Sequence, residues 1–102
     1  MRKTHSLIKV VDALMQDPAG QHWGYELSRQ TGIRSGVLYP ILRRMLEEDW
    51  LEDGWEERSD SLPKRPARRY YKLTGQGERC MSALLSEVAG DLRFAAPIGQ
   101  TS

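Results

Sequence analysis

The sequence predicts a single, mainly α-helical domain with one small β-hairpin, an α+β fold. Over most of the chain, apolar residues recur at three- and four-residue spacing, which is typical of helices that bury one face. The spacing changes only between residues 50 and 73, where two short stretches contain the β-favouring residues tryptophan and tyrosine. A chain of 102 residues is long enough for one core. We assign residues 1–94 to this domain and residues 95–102 to a frayed tail.

The first predicted helix reaches about Gln16. Thr4 or Ser6 can cap its start through a side-chain hydroxyl. The turn sequence Asp17-Pro18-Ala19-Gly20 ends it, since proline and glycine interrupt helices. Its apolar stripe consists of Leu7, Val10, Val11, Leu14 and Met15.

Two shorter helices joined by a tight turn are predicted between Tyr25 and Leu46, YELSRQTGIRSGVLYPILRRML. Gly32 can take the left-handed conformation that ends the first of them, and Ser35 is a suitable N-cap for the second. Pro40 should bend that second helix near its start, because proline lacks the donor for one helical hydrogen bond.

The second of these helices combines an apolar stripe with a basic front. The stripe consists of Leu38, Ile41, Leu42, Met45 and Leu46. Arg34, Arg43 and Arg44 lie off it, and no acidic residue occurs between Arg29 and Arg44. This arrangement is the helix-turn-helix pattern of DNA-binding proteins, although a two-helix corner of any small domain would also fit.

Two strands, Trp50–Glu56 and Arg68–Leu73, follow the helix-turn-helix. Between them lies the polar, proline-containing sequence RSDSLPKRPA, which predicts an exposed loop. A β-hairpin in this place is a wing, so the predicted architecture is a winged helix-turn-helix.

Charge is strongly segregated, although the net charge is only +1. Seven acidic residues and no basic ones occur in LEEDWLEDGWEE, from Leu46 to Glu57. Six basic residues against one acidic residue follow from Arg58 to Lys72. Such segregation creates local fields that the net charge conceals. The basic wing suits a nucleic-acid partner, and the acidic stretch suits a solvated face.

The last predicted helix begins after its cap, Thr74. Its apolar stripe continues through Leu92 to Phe94, which is more apolar surface than one helix needs to dock on a small core. We therefore expect a homodimer formed by the terminal helices. The predicted interface comprises Leu7, Val10, Val11 and Leu14 with Met81, Leu84, Leu85, Val88 and Leu92.

Several other classes of protein are disfavoured. No apolar run approaches the roughly 18 residues of a membrane span, and the N-terminus has no usable secretory signal. Cys80 is the only cysteine, which excludes an internal disulfide and favours a cytoplasmic location. His5 and His22 have no accompanying ligand cluster, and neither Ser35 nor Tyr39 has a histidine, aspartate or glutamate at helical spacing. We expect no enzyme activity, metal or cofactor.

The chain resembles the PadR family of winged helix-turn-helix transcriptional regulators. The resemblance lies in GYEL at Gly24–Leu27, SGVLYPIL at Ser35–Leu42, and RRYYKLT at Arg68–Thr74 followed by Gly77. It implies a dimer in which the C-terminal helix of one subunit packs on the N-terminal helix of the other. It also implies a repressor of transcription that a small planar hydrophobic effector releases from DNA.

By position, the resemblance implies a DNA-binding face made of the helix-turn-helix and the wing. Its residues are Tyr25, Arg34, Ser35, Gly36, Leu38, Tyr39, Pro40, Arg43, Lys64, Arg65, Arg68 and Arg69. Hydroxyl and guanidinium groups of this kind contact phosphates and base edges. The alternative is a winged-helix module that docks on protein through the acidic stretch and does not bind DNA.

Overall fold

A computed structural model of the chain describes residues 3–56 and 68–95, with side chains through residue 90. The helices are α1 (His5–Met15), α2 (Gly24–Thr31), α3 (Ser35–Glu47) and α4 (Gly75–Ala95), and the strands are β1 (His22–Trp23), β2 (Leu51–Trp55) and β3 (Arg69–Leu73). The predicted α+β fold is confirmed. Ala95, the first residue of the predicted tail, is the last residue of α4. The rest of the tail and the predicted wing tip lie outside the described residues.

The strands form an antiparallel sheet in the order β1-β3-β2. β2 and β3 are the two strands of the predicted hairpin, with Leu51 opposite Leu73 and Trp55 opposite Arg69. β1 was not predicted; it pairs His22 with Tyr71 and Trp23 with Tyr70. Because β1 leads directly into α2, it fixes the start of α2 against the wing.

The core lies between the helices and one face of the sheet. Its buried hydrophobic residues are Leu7, Val10, Val11, Ala13, Leu14, Leu27, Ile33, Leu38, Leu42, Met45, Leu51, Tyr71, Met81 and Leu84. All four helices contribute, and the stripes predicted for α1 and α3 are buried or partly buried in this core. Ile41 and Leu46, at the border of the α3 stripe, are partly buried.

The apolar stripe of α1 is covered within a single chain. Leu7, Val10, Val11 and Leu14 are at most 2% exposed, so the prediction that they face a second subunit is wrong. Two further residues of the predicted interface, Met81 and Leu84, are also buried in the core. Of the remaining ones, Leu85 and Val88 are half-buried, and the side chain of Leu92 lies outside the described residues.

The helix ends show which predicted caps form. The Thr4 hydroxyl accepts a hydrogen bond from the backbone N–H of Leu7 (3.1 Å) at the start of α1, as predicted. Gly32, with φ of 74°, ends α2 in the left-handed conformation. Ser35, however, is the first residue of α3 and not its cap: Arg34 is the N-cap and makes no side-chain capping bond. The Ser35 side chain is therefore left exposed.

The turn between α2 and α3 is held by side-chain hydrogen bonds. The Ser28 hydroxyl donates to the carbonyl of Ile33 (2.7 Å). The Thr31 hydroxyl donates to the carbonyl of Leu27 (2.6 Å) and accepts from the backbone N–H of Ile33 (3.2 Å). With the buried Ile33 side chain as an anchor, these bonds fix the direction in which α3 leaves the turn.

His22 is a buried polar residue. Its Nε2 donates to the carbonyl of Asp17 (2.9 Å), which ties β1 to the turn after α1. Among the described residues, no group of three histidine, cysteine or acidic side chains could hold a metal ion. None of the helices in the described part of the chain is long and apolar enough to cross a membrane.

Candidate nucleic-acid interface

The exposed front of α3 is the centre of the candidate interface. Of the residues predicted for DNA contact, Ser35, Gly36, Tyr39, Pro40 and Arg43 are all exposed, as is Arg34 immediately before the helix. In helix-turn-helix proteins, the residues at the N-terminal end of the second helix contact base edges. The front of α3 therefore has the position and the accessibility that base contact requires.

Leu38 does not belong to this surface. It is fully buried between the helices, so the prediction that it contacts DNA is wrong. Its place in the motif SGVLYPIL has a structural reason, because the residue anchors α3 in the core. Helical spacing puts it on the same stripe as Leu42 and Met45, which are also buried.

Arg34 and Arg43 are the uncompensated cations of this front. Neither forms an ion pair within residues 3–56 and 68–95, whereas Arg44 Nε lies 3.5 Å from Glu48 Oε1. A guanidinium without an acidic partner keeps all of its donors for phosphates or base edges. Arg34 and Arg43 are thus better suited than Arg44 to contact DNA.

Tyrosine side chains connect α3 to the N-terminus of α2 and to the wing. Tyr25 and Tyr39 are 43% and 44% exposed. The Arg68 guanidinium lies over the ring of Tyr25, 4.8 Å from its centroid, a cation–π contact. A Cβ atom on Gly24 would overlap the Tyr39 hydroxyl, so glycine at this position allows Tyr39 to lie against the start of α2. These contacts place two hydroxyls and one cation beside α3.

A cleft of about 290 Å³ opens between α2, α3 and the wing. It is lined by Trp23, Gly24, Tyr25, Tyr39, Arg68, Arg69 and Tyr71. The combination of two guanidinium groups with tyrosine hydroxyls is suited to an anionic oxygen, such as that of a backbone phosphate. The cleft brings together four residues predicted from sequence: Tyr25 of α2, Tyr39 of α3, Arg69 of β3, and Arg68 immediately before that strand.

Arg69 has an acidic partner that the sequence did not indicate. Its Nε donates to Asp53 Oδ2 (2.6 Å), and its NH2 group makes a second contact to the same oxygen. This hydrogen bond to Asp53 raises the pKa of Arg69. The two residues are 16 positions apart in sequence, and the β2–β3 pairing brings them together. Asp53 neutralises Arg69 in part and fixes its direction, which makes Arg69 a weaker attractor of phosphate than Arg68.

The tyrosines of β3 have different environments. Tyr71 is 3% exposed and belongs to the core, and this burial raises the pKa of its hydroxyl. Tyr70 lies across the sheet from Gly54, where a Cβ atom would be 2.6 Å from the Tyr70 hydroxyl. Tyr71 is therefore a core residue, whereas Tyr70 is half-buried.

Sequence reasoning missed two exposed residues beside this interface. Val37, the third residue of α3, is 48% exposed, and Trp55, at the end of β2, is 67% exposed. The α3 stripe contains larger apolar residues, which made Val37 easy to overlook. The exposure of Trp55 depends on where the hairpin leaves the core, which the local sequence does not show. Lys64 and Arg65, predicted for the wing tip, lie outside the described residues.

The acidic stretch is exposed on the side of the molecule where α3 ends and β2 begins. Glu47, Glu48, Asp49 and Glu52 are all exposed. Their negative field disfavours DNA near the C-terminal end of α3. With Arg34 at the N-terminal end of α3, this distribution of charge would favour contact between a polyanion and the first turns of the helix.

The Transcriptional regulator PadR-like family model matches residues 14–83, well over half of the chain. The matched region runs from the end of α1 into α4 and includes the whole candidate interface. The comparison with curated proteins gave no match.

Solved structures with the same fold include PadR-family regulators. The chain is similar to a PadR family transcription regulator from Clostridium difficile R20291, with a TM-score of 0.73, 21% identity, and coverage of 89% of this chain and 94% of that one. A PadR family transcriptional regulator from Eggerthella lenta DSM 2243 has a TM-score of 0.68 and 23% identity, covering 84% and 76% of the two chains. A Streptococcus mutans UA159 protein, smu.1704, has a TM-score of 0.68 and 25% identity, with coverage of 82% and 78%. With the family match extending across both the helix-turn-helix and the wing, the chain belongs to the PadR-like family of transcriptional regulators.

Proposed function

We propose that this protein is a sequence-specific DNA-binding repressor that acts in the cytoplasm as a homodimer. The observation that carries the proposal is the front of α3, where Arg34 and Arg43 are exposed without an acidic partner in the described structure. Core packing does not account for these cations, and a polyanion would supply their missing partners. No catalytic role is part of the proposal.

In this proposal α3 contacts the bases, and the residues around it contact the DNA backbone. The first turns of α3 would enter the major groove and contact base edges, as recognition helices do. Tyr25, Tyr39 and Arg68, around the cleft, would contact backbone phosphates on one side of that groove. Lys64 and Arg65 would extend the phosphate contacts from the wing.

The homodimer is proposed to form through the second half of α4. Leu85 and Val88 are only half-buried in the single chain, and Lys3 Nζ forms an ion pair with Glu87 Oε1 (2.6 Å) that holds the start of α1 beside this region. A second copy could cover this surface. A small planar hydrophobic effector bound between the paired helices would change the separation of the two α3 helices, and this part of the proposal rests on the family resemblance alone.

The test begins with a duplex selected by the protein from a randomised DNA pool. Binding to that duplex is measured by fluorescence anisotropy at increasing salt concentrations. The logarithm of the association constant should fall linearly with the logarithm of the salt concentration, with a slope of about −0.9 per phosphate contact. Arg43→Ala should lower the affinity by roughly fivefold or more, because an arginine–base contact contributes about 1–3 kcal/mol. Arg79→Ala, which removes an exposed arginine of α4, is the matched control and should bind as the parent does.

The alternative, a protein-docking module without DNA binding, predicts a different result. No duplex would be enriched, and nonspecific duplex would not bind even at low salt. The exposed acidic residues Glu47, Glu48 and Glu52 favour this alternative only if DNA binding is absent. Equal affinities of the parent and Arg43→Ala would remove α3 from the interface.

A further inference from the structure

Apart from the ring of Pro40, the front of α3 exposes one aliphatic side chain, that of Val37. Val37 is 48% exposed, whereas its neighbour Leu38 is fully buried. Among the exposed large hydrophobic residues of the described chain, the other three are aromatic: Tyr25, Tyr39 and Trp55. Transfer of apolar surface out of water is favourable, so a partner that covers Val37 would bind more tightly. Core packing does not explain the apolar character of this residue.

The residues just before Val37 have small side chains and leave it accessible. Ser35 and Gly36 precede it, and a Cβ atom built on Gly36 would meet nothing within 4 Å. Pro40 lies one helical turn further and Arg44 two turns further on the same flank of the helix. Both are exposed. A flat surface could therefore approach the first turn of α3 closely enough to contact the Val37 methyl groups.

The major groove of DNA offers one apolar group that matches this site. Thymine presents its C5-methyl group there, whereas adenine, guanine and cytosine present donors and acceptors. A valine side chain can neither donate nor accept a hydrogen bond, so it can favour a base only through apolar contact. Its place in the first turn of the recognition helix is where base edges are contacted.

We infer that Val37 is a specificity-determining residue that contacts the C5-methyl group of a thymine in the operator. The inference rests on the proposed DNA-binding function and names one base that α3 recognises. The contact would discriminate thymine from cytosine at the same position, because cytosine has only a hydrogen at C5 and carries a polar amino group on the neighbouring C4.

Deoxyuridine provides a sharp test, since it differs from thymidine only in lacking the methyl group. Each thymine of the selected duplex is replaced in turn, and binding is measured by anisotropy for the parent, Val37→Ala and Arg44→Ala. At one position in a half-site, the parent should lose affinity about threefold to fivefold, the value of one buried methyl group. Val37→Ala should bind the thymine duplex more weakly and should not respond to that replacement. Arg44→Ala, the control on the same flank, should respond as the parent does.

Melting temperatures of the three proteins check that each is folded, and we expect little change because both positions are exposed. If Val37→Ala responds to every deoxyuridine as the parent does, or the parent responds to none, the inference is wrong. The proposed function would still stand in that case, because the selected duplex is bound. If no duplex is enriched from the pool, the proposed function fails and the inference fails with it.

Discussion

Gly36 occupies the second position of α3 although the packing of the protein does not require a glycine there. A Cβ atom would meet nothing within 4 Å, and glycine in a helix is less favourable than alanine by up to about 1 kcal/mol. A close approach by DNA would explain the missing side chain, since glycine allows a partner to come near the backbone.

Gly36→Leu should therefore separate stability from binding. We expect urea unfolding to show unchanged or increased stability, because leucine favours the helix. Affinity for the selected duplex should fall at least tenfold, because the new side chain would occupy the space that DNA needs. Gly90→Leu is the matched control, since Gly90 of α4 also has open space around it. Equal affinities of Gly36→Leu and the parent would show that DNA does not approach this turn.

Tyr71 predicts a decrease in stability at high pH. Burial raises its pKa above the ordinary value of 10.0 in the folded protein, so the folded state holds the phenolic proton more tightly than the unfolded state does. This contribution to stability is complete below pH 10 and is lost as pH rises from there toward the raised pKa. Tyr71→Phe should flatten the pH dependence of urea midpoints above pH 10. A dependence as steep as that of the parent would show that another group is responsible.

Among the elements, α4 depends on an unusual junction with the loop after α3. The Thr74 hydroxyl accepts from the backbone N–H of Gly77 (2.8 Å) and donates to the carbonyl of Asp49 (2.5 Å). The same loop comes so close to α4 that a Cβ atom on Gly77 would overlap the carbonyl of Trp50. The cap of one helix thus also holds the end of the preceding helix.

Thr74→Ala should lower the free energy of unfolding by about 1–2 kcal/mol, at the upper end of the range for an N-cap, because it removes both hydrogen bonds. Thr74→Ser retains the hydroxyl and should recover most of the loss. Urea denaturation measures both variants. A serine variant as unstable as the alanine variant would mean that the threonine methyl group, and not the hydroxyl, makes the contribution.

Contacts between the wing and DNA can be tested through the salt dependence of DNA affinity. Lys64→Ala/Arg65→Ala should weaken binding to all duplexes similarly, since contacts to phosphates do not depend on sequence. Each lost contact should reduce the magnitude of the log–log salt slope by about 0.9. Arg69→Ala should change the slope less than Arg68→Ala does, because Asp53 already pairs with Arg69. An unchanged slope in the double variant would exclude the wing tip from the interface.

What the sequence could predict follows from the range over which each interaction acts. Helical spacing and the local caps Thr4, Gly32 and Thr74 were sufficient to locate α1, α2 and α4, because the interactions that form a helix are local. β1 was missed because it has only two residues, and its partner strand lies nearly 50 positions later. The acidic partner of Arg69 was missed for the same reason.

At the scale of the whole molecule, spacing identifies an apolar face but does not say what covers it. The α1 stripe is one example: spacing identified its residues, but they pack within the subunit instead of against a second copy. Leu38 shows the same limit, because this motif residue beside the proposed DNA-binding front is buried. Val37 is the opposite case, because this apolar residue lies close to the α3 stripe and yet is exposed.

The dimer prediction must therefore be tested where the single chain leaves α4 uncovered. Val88 is half-buried on the same helical face as Met81 and Leu84. Val88→Glu should dissociate the dimer, because burying a valine contributes roughly 1.5 kcal/mol or more in each subunit and a buried charge opposes association. Ser86→Glu adds the same charge on the exposed opposite face and is the control. Leu84→Glu would not be informative, since Leu84 is a core residue.

Sedimentation velocity should show a dimer for the parent and Ser86→Glu, and a monomer for Val88→Glu with an unchanged circular dichroism spectrum. Two linked α3 helices would contact half-sites about 34 Å apart, one turn of DNA. The monomeric variant should then bind a single half-site as the parent subunit does but lose the added affinity for the full operator. A Val88→Glu protein that stays dimeric would place the subunit contact elsewhere. A monomeric variant with full affinity for the operator would show that dimerisation is not required for DNA binding.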